Sequence, residues 1–155
     1  MIARPHFGNY HAGFRFGRLG YELVEKRGLE RFEARTCLWF AQFVVPWTQH
    51  IRMCRDLMRR AFDVANKTGD LTIAAYSCNN LNTNFLAAGD ALIEAQKEAE
   101  HGRGFADKAR FGFVTDIVTD IIDGQLGLIR TLRGLTPGLV HLTPKNSTKL
   151  HSSAI

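Results

Sequence analysis

The feature that most constrains the fold of this chain is a repeat of about 40 residues, marked by three aromatic residues. Tyr21, Phe62 and Phe105 are separated by 41 and 43 positions. Each is followed five positions on by a basic residue, seven on by glycine, and thirteen on by a small or branched apolar residue: Lys26, Lys67 and Arg110; Gly28, Gly69 and Gly112; Ala34, Ala75 and Val118. A period of this length that holds two helices is typical of an α-solenoid, in which each helix pair buries its apolar face on the next.

The spacing of apolar residues is helical along the chain, and no sustained alternation of apolar and polar residues indicates a strand. Between residues 51 and 67 one apolar stripe contains Cys54, Leu57, Met58, Ala61 and Ala65. Another follows at Leu71, Ala74, Ala75, Cys78, Leu81 and Phe85, and a third at Leu92, Ala95, Ala99 and Ala106. Further helices are predicted at 19–27, 30–45 and about 111–133. Each of these patterns predicts a helix that buries one face.

Turn residues separate the predicted helices. Glycine can adopt the left-handed conformation that ends a helix, and an Asp carboxylate can accept hydrogen bonds from the first N–H groups of the next one. Gly69-Asp70 and Gly89-Asp90 both have this order. Pro46 disfavours helix at the residue before it, and Thr48 is a candidate cap for the helix that follows.

These patterns predict an all-α fold, an α-solenoid of about three antiparallel helix pairs. The repeat domain is predicted at 14–135, with pairs at about 14–45, 48–88 and 90–133, after an N-terminal lead-in at 1–13. The run CLWFAQFVV in the second helix is apolar nearly all round, so we expect that helix to be covered on several sides. Residues 136–155 are rich in Ser, Thr, Pro and basic residues and are predicted to be disordered. Since neither end resembles a polar capping repeat, we expect a segment of a longer array or a shortened relative of one.

Composition narrows the class of protein. With 155 residues and a formal net charge of +5, the chain suits one globular domain. Three cysteines without a CxxC pair favour a reducing, cytoplasmic setting, and no signal peptide is predicted. The longest apolar stretch, 37–47, is too short for a bilayer span, so no membrane partner is expected.

Three strings of the sequence are similar to one known kind of protein: FRFGRLGYELVEKRGLERFEART (14–36), RRAFDVANKTGDLTIAAYSCNNL (59–81) and QLGLIRTLRGLT (125–136). They resemble the tetratricopeptide-like repeat region of very large bacterial signalling proteins that combine a serine/threonine-kinase-like domain, an AAA-type ATPase and often a sensor histidine kinase. The resemblance implies a connecting and regulatory scaffold without chemistry of its own. No phosphate-binding loop, kinase catalytic loop or histidine-kinase box occurs here, so we predict no enzyme activity and no cofactor.

The candidate binding residues are polar and lie in two clusters. Side-chain amides both donate and accept hydrogen bonds, which suits recognition of a peptide backbone, yet asparagine is a mediocre helix former. The amide cluster is therefore either a partner-binding face or a set of hydrogen bonds between repeats. The predicted partner-binding residues are Tyr76, Asn79, Asn80, Asn82 and Asn84, together with Arg52, Arg55 and Arg59. The expected partner is a protein: a peptide segment, or other domains of a larger signalling protein.

Two other functions remain as alternatives. Asp116, Asp120 and Asp123 share one helical face, and carboxylates so placed can bind Mg²⁺ or act as acid and base in a small metal-dependent enzyme. A solvated face is the simpler interpretation. The pair Glu98 and His101 has the spacing of one half of a di-iron site, but no second pair accompanies it. His50 and Cys54 could share a metal with Cys78 or His101, although both cysteines lie on apolar stripes, so no metal site is predicted.

A basic stripe offers the third function, nucleic-acid binding. Arg52, Arg55, Arg59 and Arg60 share one side of a predicted helix. Asp56 dilutes that charge, and no aromatic residues are interleaved for stacking on bases. A plain exposed face, or an acidic protein partner, is therefore the preferred interpretation of this stripe.

Overall fold

The computed structural model of the chain consists of helices and turns throughout the part that it describes. It describes residues 8–109 and 112–135, without the side chains of 112–115. The helices are α1 (Tyr10–Lys26), α2 (Glu30–Phe43), α3 (Arg55–Thr68), α4 (Leu71–Ala87), α5 (Leu92–Ala109) and α6 (Gly112–Leu132). Two short 3-10 turns, Val45–Trp47 and Ile51–Cys54, lie between α2 and α3. The predicted all-α fold is thus confirmed for these residues, whereas the predicted disordered tail at 136–155 lies outside them.

The helix ends follow the turn residues, with two corrections. Gly28 and Gly69 have φ values of 60° and 77°, which end α1 and α3, and Asp70 caps α4 by accepting from the Ile73 N–H at 3.2 Å. Asp90 does not cap α5, because α5 begins two residues later and the Asp90 carboxylate binds arginines instead. The helical turn at Ile51–Cys54 is capped by His50 Nδ1, which accepts from the Arg52 N–H, and not by Thr48.

Each helix packs against its neighbours in the chain, and the even-numbered helices also meet. α2 packs on α3, α3 on α4, α4 on α5 and α5 on α6, while α4 additionally contacts both α2 and α6. α4 therefore lies at the centre of the stack. It buries residues on nearly all sides, including Ser77, Asn82 and Asn84. α2 is covered on several sides, by α1, α3 and α4, and only Trp39 and Phe43 of its apolar run stay partly exposed.

Two apolar clusters make the core, one on each side of α4. The first joins α2, α3 and α4 around Leu38, Met58 and Ile73. The second joins α4, α5 and α6 around Cys78, Val118 and Ile122. Many of the other buried residues are alanines, which let the helix axes approach closely.

Glycine permits the closest approaches between helices. A Cβ at Gly17 would lie 2.7 Å from a methyl group of Val44, and a Cβ at Gly102 would lie 3.1 Å from the Cβ of Cys78. The first contact seats α1 on the end of α2, and the second seats α5 on α4. A larger residue at either position would push two helices apart.

Positions that are equivalent by the repeat largely have equivalent places. Tyr21, Phe62 and Phe105 lie on α1, α3 and α5, and each is half-buried against the core. The residues thirteen positions on, Ala34, Ala75 and Val118, are all buried on the second helices. Gly112 departs from the pattern, because it is the first residue of α6 and not the end of α5.

Candidate functional site

The predicted binding residues are spread over four places in the fold, two of which are networks of hydrogen bonds between helices. Asn84 is buried; its side-chain N–H donates to the Ile51 carbonyl at 2.8 Å, and its Oδ1 accepts from Arg55 Nε at 2.8 Å. Arg55 also binds Asp90 and lies over the ring of Phe85, with 3.9 Å from its guanidinium carbon to the ring centroid. This network ties the start of α3 to the loop after α4, so Asn84 and Arg55 act in helix packing.

Arg52 belongs to the same network. Its Nη2 donates to the Ala88 carbonyl at 3.1 Å, and its guanidinium pairs with Asp90 at 3.0 Å. Two arginines therefore share one carboxylate, and hydrogen bonding from Arg55 and then Arg52 holds the pKa of Asp90 below its usual value. Both guanidinium groups are therefore bound by other residues of the same chain.

Asn82 is also an interior residue. It is fully buried, and its side-chain N–H donates to Gln125 of α6, whose own amide N–H donates to the Thr83 hydroxyl at 2.8 Å. Asn82 thus forms a hydrogen bond between helices, as one of the two interpretations of the amide cluster predicted. It is not part of a surface open to a partner. The Oδ1 atoms of Asn79 and Asn82 are buried and accept no hydrogen bond within the described chain.

The remaining amide residues stay near the surface. Tyr76, Asn79 and Asn80 are half-buried on one face of α4. Tyr76 lies beside Trp39 of α2, with 6.4 Å between the ring centroids, and Trp39 in turn stacks on Phe43. An aromatic surface next to two amides therefore remains available on this side of the stack.

Arg59 lies elsewhere, at a cleft between α3 and α5 that we call the second groove. Its volume is about 330 Å³. The floor comes from α4, and the rim carries charges of both signs; the lining residues are Arg59, Phe62, Asp63, Ser77, Cys78, Leu81, Glu98 and His101. Across the rim, Arg59 lies 3.9 Å from Glu98, which also lies 3.7 Å from His101.

A similar cleft, the first groove, lies between α1 and α3. Its volume is about 320 Å³. Its floor comes from α2; the lining residues are Phe14, Arg18, Tyr21, Glu22, Glu25, Phe40, Val45, Gln49, Met53 and Leu57. Tyr21 stacks on Phe40 with 5.4 Å between the ring centroids, and Arg60 of α3 donates to the Tyr21 hydroxyl at 2.8 Å.

The two grooves use the same positions of the repeat. A shift of 41 residues converts Arg18, Tyr21, Glu22 and Phe40 of the first groove into Arg59, Phe62, Asp63 and Leu81 of the second. Each groove thus combines an arginine, an aromatic ring, a carboxylate and an apolar floor residue in one arrangement. Sequence analysis found Arg59 but missed the other seven. Comparing the charged residues beside Tyr21 with those beside Phe62, at the same 41-residue shift, would have indicated the charged ones among them.

Charge pairing shapes the first groove. Hydrogen bonds from Arg18 at 2.7 Å and from Lys26 at 3.3 Å lower the pKa of the Glu22 carboxyl. Burial raises the pKa of the Tyr21 hydroxyl above its usual value, against the opposing charge of Arg60. The groove therefore offers an ionised carboxylate and a neutral phenol at neutral pH.

Burial also decides the state of the three cysteines. It raises the pKa of the Cys37 and Cys54 thiols to about 11, and that of Cys78 to about 12. Since the thiolate is the nucleophile, such thiols are inert at neutral pH.

We therefore expect a thiol reagent such as Ellman's reagent to label no cysteine of the native chain rapidly at pH 8. Cys37, Cys54 and Cys78 should all react at once in denaturant. Absorbance at the reporter's wavelength measures both rates. Fast labelling of a thiol without denaturant would contradict the burial of that cysteine.

The described residues give no support to a metal centre. No group of three or more metal-ligating side chains occurs among them. Asp123 receives a hydrogen bond from Arg103 at 2.6 Å, while Asp116 and Asp120 point to solvent on α6. The basic stripe is likewise engaged by acids: Arg60 pairs with Glu25 and Glu33, as Arg52 and Arg55 pair with Asp90.

Comparison with protein-family models, with curated proteins and with solved structures gives no match for this chain. Within residues 8–109 and 112–135, none of the helices combines the length and hydrophobicity that crossing a bilayer requires. What the chain binds must therefore be inferred from its own geometry.

Proposed function

We propose that this chain is a non-catalytic helical-repeat scaffold, a tetratricopeptide-like solenoid of three helix pairs that binds an extended segment of a protein partner along its two grooves. The observation that carries the proposal is that both grooves reuse one set of repeat positions. A surface built twice from equivalent residues suits a ligand that itself runs along the stack. Extended peptides are such ligands.

The composition of the grooves indicates the chemistry of that segment. Each groove combines an aromatic ring on one wall with an apolar floor residue, Tyr21 with Phe40 and Phe62 with Leu81. Apolar side chains of the peptide would fill these floors. Arg18 and Arg59 are more than half exposed and would pair with acidic residues on either side of the apolar anchors.

The setting of this scaffold is part of the proposal. The similarity of three long strings to the repeat region of bacterial signalling ATPases favours a role that links an ATPase-type switch to an output kinase. The partner would then be another domain of such a protein, or a peptide segment of one. The partner-free chain would hold the grooves open, since the helices that line them pack on the core.

Selection from a random peptide display library tests this function. We expect the full chain to enrich peptides with apolar anchors flanked by acidic residues, binding with micromolar affinity. Arg59→Glu should weaken binding of a selected peptide about tenfold, because one interface contact of about 1.4 kcal/mol would be lost. Fluorescence anisotropy with the labelled peptide gives the affinities.

The matched control is Arg130→Glu, an arginine of α6 that is also half exposed but lies outside both grooves. It should leave binding unchanged. Peptides that bind the Arg59→Glu chain as tightly as the unaltered one would disprove the groove as the site. If Asn79→Ala with Asn80→Ala abolished their binding instead, the partner would occupy the Tyr76 face of α4.

A further inference from the structure

Both ends of the helix stack expose apolar stripes. On α1 the stripe consists of Phe16, Leu19 and Leu23, which are 74%, 62% and 51% exposed. On α6 it consists of Ile121, Leu128 and Leu132, which are 43%, 53% and 61% exposed. In each helix a different face packs on the core, so α1 and α6 are apolar on two faces. A helix of that kind is normally covered on both.

The repeat register shows what the α1 stripe corresponds to inside the stack. Shifting Phe16, Leu19 and Leu23 by 41 residues gives three residues of α3: Leu57, Arg60 and Val64. These side chains contact the helices that precede α3, namely α1 and α2, or the apolar cluster that α3 shares with them. Leu57 lines the first groove with α1 and α2, Arg60 binds the carboxylates of Glu25 and Glu33, and Val64 packs on the first cluster.

Two of the three residues of the α6 stripe have equivalents in α4, while Leu132 corresponds to Gly89, just beyond the end of α4. Shifting Ile121 and Leu128 back by 43 residues gives Cys78 and Phe85 of α4. Cys78 is buried and lies against Gly102 of the following pair, while Phe85 is half-buried between both clusters. At the C-terminal end of the stack the same positions are exposed. Each end therefore presents a surface that the inner pairs bury against one another.

The two end surfaces carry opposite charges, and each contains a glycine. Arg15 precedes Phe16 on α1, and Asp120 precedes Ile121 on α6; both are exposed, and neither makes an ion pair with another described residue. Gly20 and Gly124 lie within the exposed faces, where an added Cβ would meet nothing within 4 Å. Glycine inside a helix destabilises it relative to alanine, and at Gly102 it allows a close helix contact.

We propose that two copies of this chain associate head to tail, with the α6 stripe of one copy packed on the α1 stripe of the next. The contact continues the internal stacking, and the charges of Arg15 and Asp120 meet across it. Such an interface is heterologous and does not close on itself, so further copies can add. The inference rests on the helix-pair architecture of the proposed function but not on its grooves.

Sedimentation velocity of two charge-bearing variants tests the inference. One, blocked at α1, carries Phe16→Glu with Leu23→Glu; the other, blocked at α6, carries Leu128→Glu with Leu132→Glu. Each should sediment as a monomer of 17.4 kDa. Mixed in equal amounts, they should form a dimer and nothing larger, because one intact end of each kind remains. The unaltered chain should grow beyond the dimer as its concentration rises about a hundredfold.

The control is Ile93→Glu, which alters an exposed apolar residue of α5 outside both stripes and should associate like the unaltered chain. Circular dichroism confirms that every variant is helical. A monomeric unaltered chain over the whole range would overturn the proposal, as would a mixture that stays monomeric. Since Arg59→Glu should bind a selected peptide about tenfold more weakly yet still associate like the unaltered chain, failure of the grooves and failure of the ends are distinguishable.

Discussion

Replacement of Ile122 by alanine is expected to lower the free energy of unfolding by about 2–5 kcal/mol. Ile122 is fully buried in the second cluster, and its Cδ1 lies 3.4 Å from the place that a Cβ at Gly102 would occupy. Truncation leaves a cavity between α4, α5 and α6. Because the helices are already in close contact at Gly102, they cannot move closer to fill it. Urea denaturation followed by circular dichroism measures the loss.

Ile93→Ala is the matched control for Ile122→Ala. Ile93 is 48% exposed on α5, so its truncation removes little buried surface. We expect a change within about 0.5 kcal/mol. A loss of stability at Ile122 no larger than that at Ile93 would mean that α6 does not pack on α4 and α5 as described.

Asn84→Ala is expected to cost about 2–4 kcal/mol, since two polar partners lose a hydrogen bond in the interior. The Ile51 carbonyl would lose its donor, and Arg55 Nε would lose its acceptor, although Arg55 keeps Asp90. The midpoint of urea denaturation should fall accordingly. The same measurement on Arg55→Ala reports the other half of the network.

Asn80→Ala provides the comparison within the same helix. Asn80 is half-buried, and its side chain forms no hydrogen bond with another described residue. Because alanine is the better helix former, this change should be neutral or slightly stabilising. Equal losses at Asn80 and Asn84 would contradict the division of the amide cluster into interior and surface residues.

The helices could be predicted from the sequence because their signals are local. Gly28 and Gly69 adopt a positive φ and end α1 and α3. The stripe from Cys54 to Ala65 is largely buried, as its spacing predicted. The interpretation of Asp90 was wrong for a reason that is not local. Arg52 and Arg55, more than thirty residues earlier, compete for its carboxylate.

Which asparagines of α4 are interior could not be predicted from α4 alone. The sequence left open whether the amide cluster is a partner-binding face or a set of hydrogen bonds between repeats, and Asn82 is paired with Gln125 on a helix two elements later. The apolar run of α2 did indicate burial. α2 packs on α1, α3 and α4 and buries Leu38 and Ala41, while Trp39 is partly covered by Tyr76 of α4.

The residues that line the grooves follow the repeat of the sequence, but recognising the grooves required the fold. The repeat is marked by aromatic, basic, glycine and small apolar residues, but the packing of α3 between α1 and α5 was needed to show that Arg18 and Arg59 occupy equivalent rims. Once the period is known, charged residues can be compared at the same offsets. That comparison indicates a binding surface where single residues do not.

The central claim, that three helix pairs are stacked in a row, is tested most directly by hydrogen exchange of two core variants followed by mass spectrometry. In such a stack each pair depends mainly on its neighbours, so stability varies along it. Ile122→Ala should lose protection in α5 and α6 while α1 and α2 stay protected. Leu38→Ala, equally buried but in α2, should show the reverse. Uniform loss of protection across all described helices in both variants would contradict the stacked arrangement.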